Sequence, residues 1–219
     1  MQSASLIFMG LIVPASVLIP ISVALIKYRW VDRVLLLIFY YLLLDGIVNL
    51  FGVVLFRSHI NNLPLLHIYT VLEFLLLSFF YTKLLKGVLA RNIIRFLMVL
   101  FPLLCIINFT FFQSILRFNT YTRPLEILLI MGYSLAYFAQ ANEANEVKSW
   151  SSNSLIWVNI GIVLYFSGAL FIYSFSNFTT AYTSPKYQSL NLFIWDIHAA
   201  LLLCMYLLFS WGFYICRKT

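Results

Sequence analysis

The chain has 219 residues, of which 63% are hydrophobic and only 10% charged, and its mean hydropathy is +0.96. A water-soluble domain carries about a quarter charged residues, so a soluble globular fold is excluded and the bilayer is the solvent. Fourteen Lys and Arg against seven Asp and Glu give a charge of +7, but the basic residues sit in short turns between apolar runs, where they orient helices and meet lipid headgroups. A nucleic-acid partner is not implied.

Lipid offers the backbone no hydrogen-bond partner, so a spanning segment is a helix or part of a closed barrel. Barrel strands alternate over about ten residues, whereas the apolar runs here are unbroken for about twenty, which selects helices. The first run, 5–26, has no basic residue before it and Lys27, Arg29 and Arg33 after it. This pattern fits an uncleaved helix with its N-terminus outside better than a removable signal peptide. It contains Pro14 and Pro20, and the fourth run contains Pro102; neighbouring helices re-satisfy carbonyls freed at such positions.

The second run, 34–56, carries Asp45 and, one turn on, Asn49; the third, 63–82, carries His67, Tyr69, Thr70 and Glu73. The fourth, 93–113, holds Asn108, and the fifth, 121–140, opens with Arg123 and Glu126 and continues to Tyr133. The sixth, 154–176, holds Asn159, and the seventh, 191–215, holds Trp195, Asp196 and His198. The longest polar connections are 141–153, with Glu143, Glu146 and Lys148, and 177–188. Neither is long enough to form a second domain. The expected architecture is all-α, a single bundle of about seven transmembrane helices over 1–219. Cys105, Cys204 and Cys216 lie in or at the end of apolar runs without metal-type spacing, so they read as packing residues. Tyr28, Trp30, Trp150 and Trp211, near helix ends, read as interfacial belt residues.

Lys and Arg accumulate in cytoplasmic loops. With the N-terminus outside, Lys27, Arg29, Arg33, Lys83, Lys86, Arg91, Arg95, Lys148, Arg217 and Lys218 fall inside, and only Arg57, Arg117, Arg123 and Lys186 fall outside. The C-terminus is therefore expected in the cytoplasm, and the chain in the plasma or inner membrane.

Four of the seven acidic residues, Asp45, Glu73, Glu126 and Asp196, lie within spans. An ionisable side chain at that depth costs about 2.5–3.5 kcal/mol on insertion scales, so it faces a partner or a wet cavity. Arg123 and Glu126, spaced i,i+3, can meet each other. Asp45, Asn49, His67, Tyr69, Thr70, Glu73, Arg123, Glu126, Asp196 and His198 all fall in the outer half or middle of the bundle. They are expected to line an outward-facing polar cavity above an almost purely apolar inner half.

Several seven-helix chemistries are excluded by their required residues. The last span has no lysine for a retinal Schiff base, no H-x3-H pair appears late in the chain, and no Gly-x-Ser-x-Gly serine is present. The favoured expectation is a receptor-like sensor subunit, not an enzyme, that binds a small molecule in the cavity and signals through a membrane or cytoplasmic protein partner. One alternative is an intramembrane hydrolase of lipid-like substrates, in which His67, Glu73, Glu126, Asp196 and His198 hold zinc or iron and activate water. Another is a structural or assembly subunit, whose polar groups only join helices. No cofactor is specified by the residues alone.

Overall fold

The computed structural model describes residues 2–143, 151–181 and 185–216, and within them every regular element is helical. Among the described residues, seven helices are long and apolar enough to cross a membrane. We number them α1 (Ala4–Ile26), α2 (Leu35–Arg57), α3 (Leu63–Leu84), α4 (Val88–Phe112), α5 (Thr122–Glu143), α6 (Ser154–Ala181) and α7 (Pro185–Ile215). Arg217 and Lys218, and Glu146, Lys148 and Trp150 of the expected 141–153 connection, lie outside the described residues, as do the side chains of Glu143 and Lys186.

The helix ends correct the sequence reading in two places. The fourth helix begins at Val88 rather than 93, because Gly87 at φ 113° turns the chain directly out of α3; a positive φ of this kind suits glycine. The 177–188 stretch, expected as a polar connection, is largely helix, since α6 runs to Ala181 and α7 starts at Pro185. Proline at a first helical position costs nothing, because the N–H it lacks would be unbonded there. At the end of α2, His59 adopts φ 56° and Ile60 N–H bonds back to Leu55 O at 2.9 Å, which satisfies a carbonyl of the last turn.

Helix α1 widens to a π-helical turn at Phe8–Ile12, just before Pro14. Proline offers no N–H to the carbonyl four residues back and its ring crowds that carbonyl, so a local π turn re-spaces the chain. A second π turn, Asn108–Phe112, closes α4.

The helices pack in a ring in which α1 lies against α2 and α7, α6 against α5 and α7, and α3 against α2, α4 and α5. The broadest packing is between α6 and α7. Three glycines allow it. A Cβ on Gly161 would stand 3.0 Å from the Phe209 ring, one on Gly168 would overlap Leu201, and one on Gly212 would stand 3.1 Å from the Ser154 carbonyl. Small residues at such contacts let helix backbones approach in lipid, where there is no hydrophobic force to drive them together.

The face that carries the N-terminus also bears the loops 58–62 and 113–121; the opposite face bears 27–34, 85–87 and the end of α7. Between them lies a core that includes Phe74, Phe80, Phe101, Phe166, Phe209 and Phe213.

Gly212→Val should lower stability by about 1–3 kcal/mol by overpacking α6 against α7. Gly132→Ala, where a Cβ meets nothing within 4 Å, should be neutral or stabilise by up to ~1 kcal/mol. Thermal unfolding of the detergent-purified variants checks the pair.

Candidate functional site

Four helices supply the polar centre, each with residues spaced to share a face. Helix α2 presents Tyr41 and Asp45, α3 presents Tyr69 and Glu73, α5 presents Arg123 and Glu126, and α7 presents Tyr206; i,i+3 and i,i+4 spacing puts each pair on one side of its helix. Asn119, before α5, accepts from the backbone N–H of Thr122 at 3.0 Å and of Arg123 at 3.3 Å. That closes the first turn and fixes the Cα from which Arg123 reaches inward.

The side chains form one continuous chain of hydrogen bonds. Tyr206 Oη donates to Asp45 Oδ2, and Tyr69 Oη lies 3.1 Å from Asp45 Oδ1 and 3.0 Å from Glu73 Oε1. Tyr41 Oη donates to the same Glu73 oxygen at 2.9 Å. Arg123 Nη1 donates to Glu73 Oε2 and, at 2.7 Å, to Glu126 Oε2. Every charged member is buried: Asp45 is 6% exposed, Arg123 3%, and Glu73 and Glu126 0%. Burying ions costs several kcal/mol each unless geometry and further hydrogen bonds compensate, and here three carboxyl groups share a single guanidinium and three tyrosines.

The guanidinium has five N–H donors, and both carboxylates sit on Nη1. The Nε–H and Nη2 groups, which form its side-on edge, carry no hydrogen-bond partner among the described residues. Three rings surround the group, with Tyr69, Phe166 and Tyr173 centroids 5.7, 5.8 and 5.1 Å from Arg123 Cζ. Such faces favour a cation held away from water.

Arg123 borders a cavity of about 90 Å³ beneath the 113–121 loop. Of the residues expected at a common site, Asp45, Asn49, Tyr69, Thr70, Arg123 and His198 line it. Arg117, Phe118 and Asn119 of the loop, and Tyr165 and Tyr173 of α6, complete much of the wall. Phe118 stacks on Trp195 of α7 at 5.6 Å, which ties the roof to the bundle. His198 Nε2 lies 3.1 Å from Tyr165 Oη, and Thr70 Oγ1 bonds back to the Leu66 carbonyl at 3.0 Å.

The other four expected residues do not line the cavity. Glu73 and Glu126 stand behind Arg123 and hold it. His67 Nε2 donates to the Arg117 carbonyl at 2.8 Å, its ring meets Phe109 edge-on, and its role is to brace the loop. Asp196 accepts from Ser5 Oγ of α1 at 2.7 Å, beside Ala4 and Phe8, on the outer side of α7. The expected metal set of His67, Glu73, Glu126, Asp196 and His198 is therefore corrected. These side chains point to separate contacts, and among the described residues no three His, Cys, Asp or Glu groups are placed to share an ion. The expectation of an almost purely apolar inner half is corrected too. Tyr81 Oη and Ser134 Oγ both donate to Asn159 Oδ1 at 2.8 Å, joining α3, α5 and α6 in a second polar node.

Tyr41 and Tyr206 were missed as members of the network, and Arg117, Tyr165 and Tyr173 as members of the wall. Tyr41 carried a readable signal, since it lies four residues before Asp45 on the same face. Fold and composition thus define a multi-pass helical membrane protein. No family model matches the chain, and neither a curated protein nor a solved structure matches it.

Arg123→Gln should cost about 3–5 kcal/mol, because it strands two buried carboxylates. Glu126→Gln should cost less, since Glu126 Oε1 has no partner to lose. Adding Glu73→Gln and Glu126→Gln to Arg123→Gln should recover part of the loss. Unfolding midpoints of the single and combined variants check this; strict additivity would show that the groups do not interact.

Proposed function

We propose that the chain is a receptor-like membrane sensor subunit that admits a small polar solute from outside into the Arg123 cavity and passes its occupancy to a protein partner. The observation that carries this reading is Arg123 itself: a nearly buried guanidinium that lines the cavity, clamped through one nitrogen, whose remaining edge has no hydrogen-bond partner among the described residues. Charged groups at membrane depth mark ligand or ion pathways more often than plain packing.

The same walls supply a means of signalling. Residues of α2, α3, α6, α7 and the loop entering α5 share the cavity, so an occupant bonded to several of them favours one arrangement of those helices over another. The cavity lies on the N-terminal face. The distribution of Lys and Arg supports placing that face outside, leaving most basic residues on the opposite face for a cytoplasmic partner.

Cysteine accessibility tests both claims. In a background with Cys105, Cys204 and Cys216 replaced by serine, Asn49→Cys should be modified by a membrane-impermeant thiol reagent applied outside intact cells, more slowly than Arg117→Cys at the exposed loop. Modification of either cysteine only after permeabilisation would contradict the orientation. Labelling of Arg117→Cys with none of Asn49→Cys would show a closed cavity and remove the sensor reading in favour of a structural subunit.

A further inference from the structure

We infer that the solute is a small amino-acid-like zwitterion, its carboxylate on the free Nε/Nη2 edge of Arg123 and its ammonium on Asp45; this rests on the reading of the cavity as a solute site. Three observations lead to it.

The first is the shape of the free edge. Nε–H and Nη2–H point in parallel, and this two-pronged fork matches the two oxygens of a planar carboxylate. Because Glu73 and Glu126 both hold Nη1, the guanidinium is oriented before anything binds. A ligand therefore does not have to order it.

The second is the charge balance. The buried network holds three carboxyl groups and one guanidinium, with Arg117 exposed at the loop above. A simple carboxylate on Arg123 would add another negative charge to a cluster already rich in them. A simple amine would enter past two arginines. A molecule that carries both charges adds no net charge and offers each end its counterpart. Asp45 has capacity for the ammonium: each of its oxygens has one tyrosine hydroxyl within hydrogen-bond distance, and a carboxylate has about four acceptor sites.

The third is size. A cavity of about 90 Å³ is smaller than the ~150 Å³ apolar cavity that holds a benzene ring. That suits a solute of a few non-hydrogen atoms, such as glycine or alanine, rather than a whole lipid or nucleotide.

The test is calorimetric titration of the full chain in lipid nanodiscs with glycine, acetate and methylamine, the last two being its separate charged halves. Glycine should bind at least tenfold more tightly than either half. Asp45→Asn keeps an acceptor for the tyrosines but loses the charge, so it should weaken glycine at least tenfold while acetate is unchanged or improved. Asn49→Leu, at a side chain that lines the cavity and whose Nδ2 has no hydrogen-bond partner among the described residues, should fill the cavity and abolish binding with the fold intact. Acetate binding as tightly as glycine would overturn the zwitterion and leave the solute site standing. Absence of binding by all three probes would also overturn it, and the fate of the solute-site reading would then be read from Asn49→Cys labelling. An unchanged glycine-to-acetate ratio in a folded Asp45→Asn protein would show that Asp45 takes no part.

Discussion

A charge inside a bilayer has to be balanced by the protein itself, and in this bundle nearly all of that balancing passes through one guanidinium. Arg123 joins α5 to α3 through Glu73, Glu73 joins α3 to α2 through Tyr41 and Tyr69, and Asp45 joins α2 to α7 through Tyr206. The long tyrosines matter because α2 and α3 pack mainly on each other and on α1, α4 and α5. Their seam with α6 and α7 is spanned by side chains rather than by close backbones. Remove the cation and Glu73 and Glu126, both fully buried, lose their shared counter-ion, with only the Tyr41 and Tyr69 hydroxyls left to Glu73.

The division of labour among helices follows from this. The α6/α7 pair is held by shape, with Gly161, Gly168 and Gly212 admitting the opposite helix. The seam between α2/α3 and α6/α7 is bridged by polar contacts, worth typically 0.6 kcal/mol apiece in membranes, which individually are weak and together fix register. A bundle in which one seam is close-packed and another is bridged by hydroxyls has a natural place to adjust when a cavity beside that seam is filled.

Helix number and type were legible because the physics is blunt: twenty apolar residues can do little else in water or lipid. Asp45, Glu73, Arg123 and Glu126 were legible for a related reason, the cost of carrying them into a span, and the i,i+3 spacing of Arg123 and Glu126 announced their contact. Rotation was not legible. Asp196 and His198 sit at similar depth two residues apart, yet one turns toward Ser5 and the other toward the cavity, and depth alone assigned both to one site. His67 shared the third helix with Glu73 but braces the loop instead. Tyr41 and Tyr206 were hidden among fourteen tyrosines, most of which read equally well as belt or packing residues.

Arg123 is held by one nitrogen with its other edge open to a solute, and nitrogen-15 NMR of the arginine side chains in lipid observes that directly. With Nη1 locked between Glu73 and Glu126, the account predicts two resolved Nη signals for Arg123, slow rotation about the Cζ–N bonds, and faster solvent exchange at Nη2 than at Nη1. A single averaged Nη signal, exchanging like that of exposed Arg117, would contradict it.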